Sequence, residues 1–296
     1  MVHSPWQVGE PFYGLSTMDY GLPAMMMGAV RRPAVAGYFY SSDPTQLREQ
    51  VDSLAKSDGA CLQARAVIVP HGSYRHSGAI AGAAFGRVIV PRRCIVIGPS
   101  HTGSWMPWSI MIGGAYRTPL GEVPIDSACA EALRARCPFL EADAWSQRGE
   151  HAIEVQLPFL QRLGPPDLSV VPIVTSADDA REFAQLAQAI AQVVRMQEEP
   201  VLLVASSDLS HYESQRRGAD QDRAVLETLR AMDGTSLVHL VQNERLLMCG
   251  YGAVACVLDA SRRLGAQRAG LMRYGTSADA GGDPDSVIGY ASLLIE

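Results

Sequence analysis

Three of the seven histidines come shortly after apolar runs of the kind that form buried strands. Open α/β sheets bind ligands where their strands end, so we expect His71 and His101 to share one pocket, with His211 reaching it as well. Neutral imidazole nitrogen is a common metal ligand, so the pattern favours a metal site. The runs and the histidines that follow them are residues 66–69 with His71, 94–97 with His101, and 201–205 with His211.

A pair of imidazoles usually needs an anionic partner to hold a metal ion. The candidates are Asp208, Glu150, Glu154 and Cys249. Cys249 comes directly before a predicted helix over residues 250–264, and the free N–H groups of a helix start lower the pKa of a nearby thiol. The resulting thiolate would suit a metal ion or nucleophilic catalysis. The alternative is a buried cysteine at a glycine-rich turn.

A polar cluster at residues 150–154 offers groups for a second layer around such a site. His151 and Glu154 are three residues apart, so they share one face if the segment is helical. Together with Glu150 they would then orient a ligand imidazole. The alternative is a solvent-exposed helix start.

Strand-type runs alternate with helical periodicity along most of the chain. This order predicts an α/β fold, with a central parallel or mixed sheet flanked by helices on both faces. The clearest helix covers residues 178–196, with Ser176 as its predicted N-cap. Asp43 and Pro44 predict the start of another helix, which runs to about Lys56. Further helices are predicted at 77–88, 126–136, 218–232 and 250–264, and further strands at 109–112, 169–174, 270–274 and 287–295.

Composition and charge narrow the class of protein. The 296 residues are 47% hydrophobic and carry a net charge of −6, which argues against nucleic acid or an anionic membrane as partner. No apolar run approaches the roughly 18–20 residues of a membrane span, and the N-terminus lacks the pattern of a signal peptide. We therefore expect a cytoplasmic protein, in which the six cysteines stay reduced. Residues 1–31 resemble a leader, and residues 32–296 a single domain.

Seven motifs follow one another in an order that is typical of a known protein family. They are Arg-Pro-Ala-Val-Ala-Gly-Tyr-Phe-Tyr at 32–40, Pro-His-Gly-Ser-Tyr at 70–74, Gly-Pro-Ser-His at 98–101, Tyr-Arg-Thr-Pro-Leu at 116–120, Glu-His-Ala-Ile-Glu at 150–154, Ser-Ser-Asp-Leu-Ser-His at 206–211, and Cys-Gly at 249–250. On these motifs the sequence resembles the Memo family, also called AmmeMemoRadiSam system protein B. The resemblance runs from about Arg32 to Glu296.

The Memo family is similar in fold to the LigB-like class III extradiol dioxygenases. The resemblance therefore implies an α/β domain with a mononuclear metal pocket at one edge of the sheet. It implies that His71, His101 and Cys249 are the metal ligands, and that Asp208 and His211 line the pocket. His211 matches the acid–base histidine of the dioxygenases. Iron is the metal that the resemblance favours, with copper as the alternative.

Three functions fit these residues. The first is an iron-dependent, dioxygenase-like oxidoreductase acting on an unknown small molecule, in which His211 moves protons and Asp208 sets its orientation. Cys249 stands where extradiol enzymes use a carboxylate, and a softer thiolate changes metal preference and redox potential, so ring cleavage does not carry over directly. The second is a non-catalytic iron- or copper-binding protein. The third is a metal-free enzyme with Cys249 as nucleophile and a histidine as base.

Overall fold

The computed structural model describes residues 29–103 and 106–296 of the chain. Within these residues, nine strands form one large sheet and three form a small one. The strands are β1 (Val30–Arg31), β2 (Ala66–Val69), β3 (Arg93–Pro99), β4 (Trp108–Ile110), β5 (Ala115–Thr118), β6 (Gly121–Pro124), β7 (Glu141–Ala142), β8 (Ser169–Thr175), β9 (Val201–Ser206), β10 (His211–Glu213), β11 (Ala269–Thr276) and β12 (Val287–Ile295). The helices are α1 (Pro44–Leu54), α2 (Ala79–Phe85), α3 (Ser127–Arg134), α4 (Leu157–Leu163), α5 (Ala180–Arg195), α6 (Gln215–Arg230), α7 (Gly234–Asn243) and α8 (Tyr251–Arg263).

The centre of the large sheet consists of parallel strands. They lie in the order β2-β9-β3-β8, and their side chains are almost entirely apolar and buried. Such continuous apolar runs are expected where a sheet is covered on both faces. Antiparallel strands extend the sheet on each side, β12 beside β2 and β4 beside β8. The predicted mixed sheet is confirmed.

Helices cover both faces of this sheet. Successive side chains of β2 point to opposite faces: Ala66 and Ile68 belong to one buried apolar cluster, Val67 and Val69 to the other. The first cluster also contains side chains of α3 and α5 to α8, and the second contains side chains of α1, α2 and α4. The predicted layer order, with helices on both faces, is therefore confirmed.

Aspartate side chains cap the first turns of α1, α3, α5 and α7. The Asp43 carboxylate accepts hydrogen bonds from the backbone N–H groups of Thr45 (2.9 Å) and Gln46 (2.8 Å), as predicted for α1. The cap of α5 is Asp179, which accepts from the N–H of Arg181, so the prediction that Ser176 caps this helix was wrong. Among the described residues, no helix combines the length and the hydropathy that crossing a bilayer requires.

Several short elements were not predicted from the sequence. Helices α4 and α7 were missed, as was the small sheet of β1, β5 and β6. Val30 and Arg31, the last two residues of the predicted leader, pair with β5, and the Arg31 side chain is buried. The leader prediction for residues 1–28 lies outside the described residues.

Candidate metal centre

The parallel strands bring the candidate residues to one edge of the sheet. His71 lies two residues beyond the end of β2, His101 two beyond β3, and Asp208 two beyond β9. These strands are neighbours and run in the same direction, so their carboxyl ends meet. Cys249 lies at the same edge, in the turn that leads into α8.

Three imidazoles converge at this edge. The ring centroids of His71 and His101 are 5.0 Å apart, those of His101 and His151 4.7 Å, and those of His71 and His151 5.5 Å. One ligand nitrogen from each ring lies within 4.8 Å of the other two, close enough for one metal ion. The sequence had predicted a shared pocket for His71 and His101, but it had placed His151 only in a second layer.

Hydrogen bonds define which nitrogen of His71 faces the pocket. Its Nδ1 lies 3.0 Å from the Ser206 hydroxyl, which donates its one proton to the Ala152 carbonyl (2.6 Å) and also accepts from Gln156 Nε2 (2.9 Å). Nδ1 of His71 must therefore be the donor, which leaves Nε2 with a free electron pair. Burial also lowers the pKa of His71 well below its usual value, so the ring is neutral. Sequence reasoning missed both Ser206 and Gln156, because neither stands in a recognisable ligand pattern.

A buried carboxylate holds the other two imidazoles. Glu150 accepts hydrogen bonds from His101 Nδ1 (3.0 Å) and from the backbone N–H groups of His101, His151 (2.7 Å) and Ala152 (2.8 Å). Burial alone would raise the pKa of Glu150, but the bonds and charge of His101 and the backbone N–H groups lower it to about 2. Glu150 is therefore an anion in contact with the His101 imidazole, and its role in orienting a metal ligand stays a prediction.

The pKa values of His101 and His151 therefore shift in opposite directions. Burial acts to lower the pKa of His101, but the hydrogen bond and negative charge of Glu150 outweigh it and raise the pKa. The pKa of His151 is lowered, mainly by burial. His101 donates from Nδ1 to Glu150 and so presents Nε2 to the pocket, as ligand histidines with an outer carboxylate partner usually do.

Cys249 contacts this cluster through His71. Its Sγ lies 3.2 Å from His71 Nε2, although it is not a member of the group whose ligand atoms all lie within 4.8 Å. The next residue is glycine for a steric reason: a Cβ at Gly250 would come within 2.4 Å of the Ser206 carbonyl oxygen. Burial, together with the nearby charge of Asp208, raises the pKa of the thiol. The prediction that the helix start lowers this pKa was therefore wrong for the metal-free chain.

Asp208 also contacts His71, and His211 lies nearby. Asp208 accepts a hydrogen bond from the His71 N–H (2.8 Å), and its second oxygen lies 3.8 Å from His71 Nε2. Burial raises the pKa of Asp208, an effect that the bond from His71 and the nearby His211 oppose. His211 Nδ1 lies 2.9 Å and 2.7 Å from the carbonyl oxygens of Leu209 and Leu247, so Nδ1 carries the proton and Nε2 is free to accept one.

Glu154 faces a different part of the molecule from Glu150. Its carboxylate accepts hydrogen bonds from Arg31, from the N–H groups of Ala34 (2.7 Å) and Val35 (3.0 Å), and from the Tyr40 hydroxyl (2.6 Å). This differs from the prediction that Glu154 orients a ligand imidazole. Its oxygens are occupied by the chain segment that precedes α1, so it anchors that segment instead.

A cavity of about 280 Å³ adjoins the cluster on the side of His101 and Cys249. It lies between the first turn of α8 and the end of β8. Its volume is close to the lower end of the range for small-molecule pockets, roughly 300–1,000 Å³. The other lining residues are Pro99, Ser100, Thr175, Ser176, Ala177, Gly250, Tyr251, Gly252 and Ala253.

The chain is similar in sequence to a set of related proteins. The family model for Memo-like protein matches residues 31–294. A MEMO1 family protein of Methanopyrus kandleri is 34% identical over 279 residues, which cover 89% of this chain and 98% of the relative. Another, of Methanothermobacter thermautotrophicus, is 35% identical over 276 residues, which cover 89% of this chain and 99% of the relative.

A solved structure is similar in fold. An uncharacterized protein from Escherichia coli K12 gives a TM-score of 0.53 at 16% sequence identity, and the match covers 79% of this chain and 100% of that one. At this identity the likeness shows the α/β fold alone. The family model spans most of the chain, and the two archaeal relatives match over almost their whole length. The chain therefore belongs to the Memo family.

Proposed function

We propose that this protein binds one iron(II) ion through His71, His101 and Cys249 and uses it for dioxygenase-like redox chemistry on a small molecule. The contact between Cys249 Sγ and His71 Nε2, at 3.2 Å beside a second imidazole, carries the proposal. At this separation the two donor atoms lie beside each other, and one ion could bind both. Cys249 would have to move closer to His101 on metal binding, because its sulfur lies outside the group of ligand atoms that are within 4.8 Å of one another.

The donor set favours a redox-active metal. Two imidazoles and one thiolate suit iron(II) or copper, and three protein ligands leave coordination positions open. A bound iron(II) ion would supply one-electron chemistry with O₂. All six cysteines are unpaired, which fits the reducing cytoplasm in which iron(II) and a reduced cysteine both persist.

His211 and Asp208 supply the proton chemistry in this proposal. His211 Nε2 accepts a proton from the substrate, because Nδ1 is held by the carbonyl oxygens of Leu209 and Leu247. A negative charge on Asp208 stabilises the imidazolium that forms, since the charge of His211 acts to lower the pKa of Asp208. The cavity beside His101 and Cys249 has room for a small substrate and excludes bulk water from part of its surface.

His151 favours a second candidate function. If its imidazole joins His71, His101 and Cys249, the set has four donors, which is the closed arrangement typical of structural or storage sites. Such a protein would hold iron, copper or zinc without turnover. A metal-free enzyme with Cys249 as nucleophile fits less well, because the pKa of the thiol is raised and that of His71 is lowered, which disfavours the thiolate–imidazolium pair.

Metal analysis after anaerobic purification tests the proposal. We expect about one iron ion per chain in the wild type, and its loss in the His101→Ala and Cys249→Ser variants. The matched control is His239→Ala, which removes an exposed imidazole to which no role is assigned. Stoichiometric metal that survives both ligand substitutions would contradict the ligand set.

Two further measurements separate the candidate functions. Oxygen uptake by the iron-loaded protein with catechols and other phenols is expected if there is turnover, and its absence supports metal holding. If the site is open, with three protein ligands, the His151→Ala variant retains metal. If the site is closed, with four protein ligands, the same variant loses metal as readily as His101→Ala does.

A further inference from the structure

A buried arginine from the start of the described chain contacts the loop that carries His151. Arg31, only 5% exposed, donates from Nε to the Gln147 carbonyl (3.0 Å) and from Nη2 to the Glu150 carbonyl. Its Nη1 forms an ion pair with Glu154. We call residues 147–154 the His151 loop. The guanidinium therefore binds this loop at its beginning, its middle and its end.

Tyr116 also contacts this loop. The Tyr116 hydroxyl donates to Gln147 Oε1 (2.7 Å), and the ring lies under the guanidinium of Arg31, whose Cζ is 4.8 Å from the ring centroid. The Gln147 amide in turn donates to the Ser109 carbonyl (3.1 Å). Arg31 thus joins the small sheet, to which its backbone belongs, to the His151 loop, and its guanidinium lies over the Tyr116 ring.

The middle contact links Arg31 to the imidazoles. Glu150 presents its carbonyl to Arg31, while its carboxylate binds His101 and the N–H groups of His151 and Ala152. A shift of the Glu150 backbone would move the carboxylate and with it the His101 ring. Because ligand geometry must hold to within about 0.5 Å, such a shift weakens a metal site.

We infer that Arg31 is a positioning residue for the metal site, acting through the backbone of the His151 loop. This inference rests on the proposed metal function. Only a guanidinium can make these contacts together, because it offers five donors in a rigid plane, whereas a lysine ammonium is a single point of charge. Lysine at this position would keep the pairing with Glu154 and lose the carbonyl contacts.

Cobalt(II) binding measures the effect directly, since its visible absorption reports ligand geometry. We expect Arg31→Lys to raise the Kd for cobalt(II) by at least about tenfold and to change the absorption bands, as loss of outer-shell support usually does. The control is Tyr40→Phe, which removes a hydrogen bond to Glu154 and touches neither carbonyl of the loop. It should lower Tm while keeping Kd within about threefold of wild type.

Hydrogen exchange in the metal-free full-length chain gives a second readout. The amides of the His151 loop should exchange faster in Arg31→Lys than in Tyr40→Phe when both are measured well below their Tm values. Wild-type cobalt affinity in Arg31→Lys, or equal losses of affinity in both variants, would overturn the inference. If the wild type binds no metal, the proposed function fails, and the exchange pattern still decides whether Arg31 orders the loop.

Discussion

His71 and His101 occupy equivalent places in the topology but very different surroundings. Each lies two residues beyond a parallel strand of the same sheet. His71 is 1% exposed and donates from Nδ1 to a neutral hydroxyl, that of Ser206. His101 is exposed and donates from Nδ1 to an anion, Glu150. Burial lowers the pKa of His71, whereas Glu150 raises that of His101.

This difference shows that sheet topology places an imidazole without setting its pKa. His71 is neutral before a metal arrives, so its lone pair is available at once. His101 holds its proton more tightly and must release it on binding, but its partner Glu150 then supplies a negative charge beside the ion. We call His101 with Glu150 the His101 half of the site, and His71 with Ser206 the His71 half. We therefore expect the His101 half to contribute more of the metal affinity and more of its pH dependence than the His71 half.

The largest effect should come from neutralising Glu150. We expect Glu150→Gln to weaken metal binding by about 10–100-fold, because His101 loses its charged partner and the site loses a compensating anion. Competition with a chromogenic chelator measures the Kd. Equal affinity in the wild type and the variant would contradict the leading role of the His101 half.

The same substitution four residues along the chain is the matched control. Glu154→Gln removes neither the imidazoles nor the two loop carbonyls that Arg31 binds, so metal affinity should stay within about threefold of wild type. The free energy of unfolding should fall instead, because removing one partner of a buried ion pair costs about 3–5 kcal/mol. Urea denaturation of the metal-free protein measures that change.

A smaller effect is expected on the His71 side. Ser206→Ala removes the acceptor for His71 Nδ1 but leaves the burial that holds the ring, so metal affinity should fall by less than about tenfold. Stability should fall by about 1–3 kcal/mol, because the buried donors of His71 and Gln156 lose a partner. The control is Ser100→Ala, whose buried hydroxyl has no hydrogen-bond partner within the described chain. A loss of metal affinity as large as that of Glu150→Gln would contradict the smaller contribution of the His71 half.

The periodicity of the sequence predicted the parts of the fold that bury most apolar surface. Strand β2 was predicted at its observed bounds and α1 began at the predicted residue, because continuous apolar runs and an Asp-Pro start are local signals. Helix α7 was missed, since its first turn is Gly-Thr-Ser, a sequence also typical of loops. Strand β1 was missed because two residues show no periodicity and depend on pairing with β5.

The candidate site was predictable where chemistry follows strand ends. His71 and His101 were placed in one pocket from this rule, and their rings do converge. The different directions of Glu150 and Glu154 could not be predicted, because the loop between them is not a regular helix. The role of Ser206 also depends on a contact with a residue 135 positions away. Long-range contacts of this kind leave no local pattern.

The smallest of these effects concerns pH in the metal-free protein. His71 should titrate below the usual pKa of about 6.5 and His101 above it, measured from the imidazole Cε1–H resonances by NMR. The consequences for stability have opposite signs. The contribution of His101 is fully present below about pH 6.5 and is lost as pH rises through its folded pKa, whereas the penalty from His71 grows as pH falls through about 6.5.

Glu150→Gln connects this titration to the comparison of the two rings. The variant should lower the pKa of His101, because the raised value depends on the bond and charge of Glu150, and should lower that of His71 less, because the charge of Glu150 is only a minor cause there. The two pKa values should therefore approach each other. Metal binding by the wild type should weaken as pH falls through the pKa of His101, since protons compete for the same nitrogen. If both rings titrate together in the wild type, their surroundings do not differ electrostatically, and the stronger role of the His101 half loses its physical basis.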